Sequence, residues 1–135
     1  MYGYVKVGSA VPKLRVADCV YNKEEILKLV EAAAAKQVRV LSFPELSVTG
    51  YTCADLFFQT PLLHAAEQAI QEIAEATEAL NIFLLIGAPI AVDNQMFNCA
   101  VALYKGKLLG IVPKTHIPNY SEFYEERWFA SADDL

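Results

Sequence analysis

The sequence predicts an α/β domain in which helices are layered on one face of a mixed β-sheet. Long segments repeat apolar residues at helical spacing around Ile26 and Ala66, and short apolar runs such as Val38-Arg39-Val40-Leu41 stand between them. Near the end, two further apolar runs flank Lys105-Gly106-Lys107, the pattern of a hairpin with glycine in its turn. The expected order is therefore β, α, β, α, β, β, β.

Residues 5–11 alternate briefly and stop at Pro12, which predicts a first strand ended by a residue that cannot donate to a ladder. An extended or looped piece, residues 14–20, follows. Asn22 is expected to cap the first helix, with Glu25 reaching back to its amide in a capping box. Ile26, Leu29, Val30, Ala33 and Ala34 then share a face, and Lys23, Glu24, Lys28 and Glu31 lie elsewhere. Residues 38–43 read as a strand covered on at least one face, ending at Pro44-Glu45. Thr60 caps a second helix with Pro61 at its first position, and Leu62, Leu63, Ala66, Ala69, Ile70, Ile73, Thr77 and Leu80 mark its buried stripe. Residues 82–87 form a fully apolar strand, and residues 97–104 and 108–112 form the hairpin. The stretch 113–135 carries no periodic element, and its end at Asp133-Asp134-Leu135 reads as a cut through a larger domain.

Composition narrows the function. In 135 residues there are 11 basic and 16 acidic side chains, a net charge of −5, and no basic run, which argues against a nucleic-acid partner. No apolar stretch approaches the roughly 20 residues of a membrane span. The start, Met1-Tyr2-Gly3-Tyr4, lacks the basic and apolar regions of a signal peptide. A cytoplasmic protein is expected. Cys19, Cys53 and Cys99 are odd in number and set among apolar residues, which suits reduced thiols and implies no metal site. Gly87 and Gly110 are isolated and open no helix, so no phosphate-cradling loop is present.

Two residues stand where α/β sheets place their chemistry. Glu45 follows directly on a buried strand. An acid there is either a partly desolvated general base or a turn cap, and position alone favours neither. Lys114 follows the hairpin and Pro113, as a fixed cation for an oxyanion or as a solvated lysine. Together they suggest acyl chemistry that lacks a nucleophile. Cys53 with His116 is one source of that nucleophile, and a packing thiol is the other reading of Cys53. His64 has no evident partner. Tyr51, Tyr120, Phe123, Tyr124 and Trp128 either wall a pocket or pack a long loop.

At these residues the chain resembles the nitrilase, or carbon–nitrogen hydrolase, superfamily. Phe43-Pro44-Glu45-Leu46-Ser47-Val48-Thr49-Gly50-Tyr51 is similar to the family's base motif, and Pro113-Lys114-Thr115-His116-Ile117-Pro118 to its lysine motif. Asp55-Leu56-Phe57 and Asn119-Tyr120-Ser121-Glu122-Phe123-Tyr124-Glu125 are most similar to the glutaminase domain of glutamine-dependent NAD⁺ synthetases. The resemblance implies a nitrilase-like αββα sandwich, of which this chain is the N-terminal part, and a Glu–Lys–Cys triad. It makes Glu45 the general base and Lys114 the group that steadies the tetrahedral intermediate. It makes Glu122 the second glutamate, which positions the lysine and the substrate. By the same resemblance, Tyr120 and Phe123 line the glutamine pocket and Tyr51 lies near the active site and the ammonia exit.

In this family the catalytic cysteine comes after the lysine motif, and no cysteine follows Lys114. Residues 1–135 are thus expected to be an incomplete carbon–nitrogen hydrolase domain, inactive alone and prone to associate through open sheet edges. In the whole enzyme, ammonia freed from glutamine through a cysteine thioester would serve a C-terminal synthetase domain. That domain would amidate deamido-NAD⁺ using ATP and Mg²⁺, and the segment itself would hold no cofactor. The implied partners are glutamine, the synthetase domain and further copies in a homo-oligomer. Two alternatives are a free-standing amidase of the same superfamily and a non-catalytic relative kept for assembly.

Overall fold

In the computed structural model, which describes residues 3–135, β1 (Val7–Ser9), β2 (Val40–Ser42), β3 (Phe83–Val92), β4 (Gln95–Tyr104) and β5 (Lys107–Pro113) form one sheet in that spatial order. β1, β2 and β3 run parallel, and β3, β4 and β5 run antiparallel. The helix α1 (Cys19–Ala35) links β1 to β2, and α2 (Thr60–Ala76) links β2 to β3. Because the sheet grows in one direction through two crossovers, their shared handedness puts both helices on the same face. Ile26 and Val30 of α1 and Ala66 and Ile73 of α2 share one buried cluster with Leu41, Leu84, Ile86, Val101 and Leu103 of the sheet. The α/β class and element order are those the sequence predicts.

β1 and β2 are shorter than the runs 5–11 and 38–43, and α2 ends at Ala76, before Thr77 and Leu80; three further differences bear on how the chain is held. The first helix starts three residues before Asn22, because the Asp18 carboxylate accepts the Tyr21 N–H at 3.0 Å and caps it one turn early. Asn22 is instead fully buried. Its Oδ1 accepts from the Arg15 N–H (2.8 Å), and its Nδ2 donates to the carbonyls of Arg15 and Val48 (both 2.9 Å). One amide thereby ties the segment before α1 to the segment after β2. The second helix is capped at Gln59, with Thr60 as its first residue.

The third difference is β3, which continues past Gly87 to Val92 through Pro89 and turns into β4 at Asp93-Asn94, both in the left-handed region. Proline is tolerated there because the odd-numbered residues of β3 point their main-chain groups away from β4. Leu85 O accepts from Phe43 N and Gly87 O from Val48 N, and β2 has ended by Ser42. The missing N–H at Pro89 therefore leaves no ladder bond unmade.

Alternation along the strands sorts the two faces. Leu84, Ile86 and Ala88 of β3, with their partners Leu103, Val101 and Cys99 on β4, face the helices and are buried. Phe83, Leu85 and Gly87, with Tyr104, Ala102 and Ala100, face the other way. That second face is uncovered over much of its area: Ala100 and Val112 are exposed, and Phe83, Leu85 and Ala102 are half-buried. Gly87, on the same face, is covered. A Cβ at Gly87 would stand 2.3 Å from Leu46 N and 2.5 Å from Pro44 O, so the chain after β2 lies directly on the strand at this point. Between β4 and β5 the register shifts by one residue at Ala102/Leu103, so that Cys99 pairs with Pro113 whereas Tyr104 pairs with Lys107.

The Gly87→Ala substitution is expected to destabilise the protein by about 3 kcal/mol or more, because backbone rather than a flexible side chain occupies the space. Urea unfolding measures it, and an unchanged midpoint would mean that residues 44–46 do not lie on β3.

Candidate active site

The uncovered face carries the chemistry. After β2, the Phe43 N–H donates to Leu85 O (2.9 Å), and residues 44–50 then wind across Gly87. Leu46 at φ 53° and Gly50 at φ 88° make the winding possible, and the Gly50 N–H closes it on Leu46 O at 2.7 Å. Leu46, Ser47, Val48 and Thr49 are buried, which leaves Glu45 as the side chain presented to the open face, its carboxylate half exposed. On β4, Asn98 shares that face with Gly87 and Ala100. Lys114 follows β5 directly, and its N–H donates to Asn98 O at 2.8 Å, which puts the lysine beside Asn98.

The Lys114 ammonium reaches both oxygens of Glu45 (2.9 and 3.0 Å) and both of Glu125 (3.4 and 3.3 Å). Asn98 Nδ2 donates to Glu45 Oε2 at 3.1 Å, and the Tyr51 hydroxyl donates to Glu125 Oε1 at 2.6 Å. Glu125 is 2% exposed, so it is a buried charge that holds its place through these two partners. Burial pulls the Lys114 pKa down, but hydrogen bonds and charge from Glu45 and Glu125 outweigh it and leave it above the ordinary lysine value. Lys114 is therefore a fixed cation at neutral pH. Burial and the bond to Glu125 push the Tyr51 phenol far above its usual value, so it stays a donor.

A cavity of about 290 Å³ opens at this cluster, lined among others by Phe43, Glu45, Gly87, Asn98, Ala100 and Lys114. The expected pair, Glu45 and Lys114, is thus brought together, with Tyr51 one hydrogen bond behind. Glu122 is not brought to the lysine. Glu122 is exposed and makes no hydrogen bond among the described residues, and it is Glu125, three residues on, that meets the lysine. The reason is local. Ser121 turns in the left-handed region, the Glu125 N–H donates to Pro118 O at 3.2 Å, and the short 3₁₀ helix Glu125–Arg127 begins there, directing Glu125 inward. Tyr120 and Phe123 pack edge to face at 5.7 Å and do not line the cavity beside Glu45.

The thiols are packing groups. Cys53 is 2% exposed, with Sγ directed to the carbonyls of Thr49 and Gly50, whereas His116 is exposed, so the Cys53–His116 pair does not form. Burial pushes Cys19 and Cys99 up to about 11. Among the described residues, no cluster of His, Cys, Asp and Glu is arranged to hold a metal, and no helix is long and apolar enough to cross a membrane.

Asn98 and Glu125 were not legible as site residues. Counting back from the hairpin turn with one bulged residue would set Asn98 beside Lys114, but nothing in the local sequence separates Glu125 from its neighbours Glu122 and Glu126. A clasp fixes this segment to the stretch just after the first motif: the Arg127 guanidinium meets Asp55 with two bonds (2.7 and 2.8 Å), and Trp128 Nε1 donates to Asp55 at 3.0 Å. Beneath it, Phe57 packs edge-on against Phe129, ring centres 5.0 Å apart.

A family profile described as Carbon-nitrogen hydrolase matches residues 6–134. A glutamine-dependent NAD(+) synthetase of Mycobacterium leprae is 36% identical over 132 residues, covering 98% of this chain and 19% of that protein. The crystal structure of a glutamine-dependent NAD(+) synthetase from Cytophaga hutchinsonii superposes with a TM-score of 0.89 at 30% identity, over 94% of this chain and 22% of the other. An amidase from Nesterenkonia shares the fold at a TM-score of 0.74 and 21% identity, over 92% of this chain and 47% of its own. The chain thus spans about a fifth of the length of the synthetases it matches.

Hydrogen bonds from Arg127 and then Trp128 hold the Asp55 carboxyl well below the usual carboxylate range. A lowered folded-state pKa stabilises above the unfolded value and is lost as pH falls. The melting-temperature gap between the unaltered protein and Asp55→Asn is therefore expected to be widest near neutral pH and to narrow below about pH 4. A gap independent of pH would remove the clasp's charge from the account.

Proposed function

Since the chain belongs to the carbon–nitrogen hydrolase family, we propose that it is the N-terminal part of a glutaminase domain that supplies ammonia to a synthetase domain in the same protein. The observation that carries this is the Lys114 ammonium held between Glu45 and the buried Glu125. The kinship to glutamine-dependent NAD(+) synthetases of M. leprae and C. hutchinsonii supports glutamine as the nitrogen source and deamido-NAD⁺ as the acceptor. In this reading the work is cytoplasmic, and several copies assemble into an oligomer. In the same reading, ATP and Mg²⁺ belong to the synthetase domain.

The chemistry follows from the charges. A cysteine contributed by the rest of the protein loses its proton to Glu45, and the thiolate attacks the side-chain amide carbon of glutamine. Lys114 faces the oxygen that gains charge. The C–N bond then breaks, and nitrogen leaves as ammonia with the proton that Glu45 returns. Water next gives a proton to Glu45 and attacks the thioester, the C–S bond breaks, and glutamate leaves as the thiol regains that proton. Glu125 holds the ammonium in place. Tyr51 fixes Glu125, and Tyr120 and Phe123 contribute to the glutamine pocket in the complete domain.

In the full-length protein, Glu45→Gln and Lys114→Ala are each expected to lower glutamine-dependent NAD⁺ formation by at least about a hundredfold while ammonia-dependent formation is retained. Equal loss with both nitrogen sources would remove these residues from a glutaminase site. Failure of the unaltered protein to form a covalent adduct with diazo-oxo-norleucine would favour the non-catalytic alternative.

A further inference from the structure

We infer that Asn98 is a positioning residue for the proposed base, holding the Glu45 carboxylate in one orientation beside Lys114; the inference rests on the glutaminase reading above. Asn98 is 3% exposed, and an amide at that depth needs partners. Its Nδ2 donates to Glu45 Oε2 at 3.1 Å, and its carbonyl accepts the Lys114 N–H at 2.8 Å. The side chain thus holds the base while the main chain holds the residue that carries the cation. Among the described residues, no other residue hydrogen-bonds to both.

Residue type matters at this position. Lys114 lies near-equally close to both Glu45 oxygens, and an ammonium is a compact point charge about which a carboxylate can pivot. A planar amide is directional and distinguishes Oε2 from Oε1. It also adds no charge to a cluster that already contains two carboxylates and one ammonium. An acid of the same size would face Glu45 with an acceptor and a second negative charge. Alanine would leave Oε2 without its neutral donor.

The groups that act on Glu45 are few. β5 and the segment after it bring Lys114 and the Glu125 carboxylate, the segment after β2 brings Tyr51, with Glu122 close enough to act on that phenol, and β3 brings only Gly87. Asn98 is the contribution of β4. A hydrogen bond to the ionised form of an acid favours that form, so removing the donor makes the base easier to protonate. The acidic limb of the glutaminase profile should then move to higher pH.

The test uses the full-length protein and compares unaltered, Asn98→Ala and Asn98→Asp forms for glutamine hydrolysis across pH, with ammonia-dependent synthesis measured in parallel. Both variants are expected to lose about ten- to a hundredfold in glutaminase kcat/KM, the factor carried by a hydrogen bond to a charged group, with ammonia-dependent synthesis retained. The acidic limb should move up for Asn98→Ala and further for Asn98→Asp. Profiles that overlay the unaltered one would overturn the inference, as would equal loss with both nitrogen sources in both variants, since that marks a purely structural residue. Absence of glutaminase activity in the unaltered protein would instead overturn the functional reading on which the inference rests.

Discussion

A peptide segment of residues 44–46 occupies the place where a side chain of residue 87 would stand, and most of the site's geometry follows from that close approach. It lets the chain leave β2 and cross β3 without rising off the sheet. Glu45 is thereby set low enough to meet Asn98 on β4 and Lys114 after β5. The crossing is pinned on both sides, by Val48 N donating to Gly87 O and by the buried Asn22 amide donating to Val48 O. A helix residue and a strand residue thus fix one loop, and the loop fixes the acid.

Electrostatics complete what packing begins. Glu125 is buried, and a lone buried carboxylate is costly, so its ion pair with Lys114 and its bond from Tyr51 are conditions of the fold as much as of the site. Lys114 cannot be specialised for Glu45 alone. Its ammonium satisfies a structural charge on one side and an accessible charge on the other. The Asp55–Arg127 clasp lies exposed and adds little by charge, but it joins the segments that carry Tyr51 and Glu125 above the Phe57–Phe129 contact.

What the sequence made legible was the periodic part. The apolar spacing from Ile26 to Ala33 and from Leu62 to Ile73 located both helices, and the resemblance of the motifs around Glu45 and Lys114 to those of a known family located two ends of one ion pair. What escaped it was decided by partners distant in sequence. Asn22 resembles a cap until Asp18 takes that place and Val48 arrives from 26 residues away to use its amide. Gly87 and Pro89 look like the end of a strand because nothing local says that β2 has already stopped beside them. Glu122 and Glu125 are near-equivalent by composition. Only the turn at Ser121 and the 3₁₀ start after Tyr124 decide which carboxylate goes inward.

The one-residue shift between β4 and β5 sets the parity of the site. Counted straight from the Lys105-Gly106 turn, where Tyr104 faces Lys107, an uninterrupted ladder would bring Lys114 opposite Phe97, whose buried side chain is on the other face from Asn98. The extra residue, Leu109 of β5 opposite the Ala102/Leu103 step, changes an odd count to an even one and sends the lysine to the side where Glu45 crosses. A hairpin shortened or lengthened by one residue anywhere between that bulge and Lys114 would keep every motif in the sequence and still place the acid and the cation on opposite sides of the sheet.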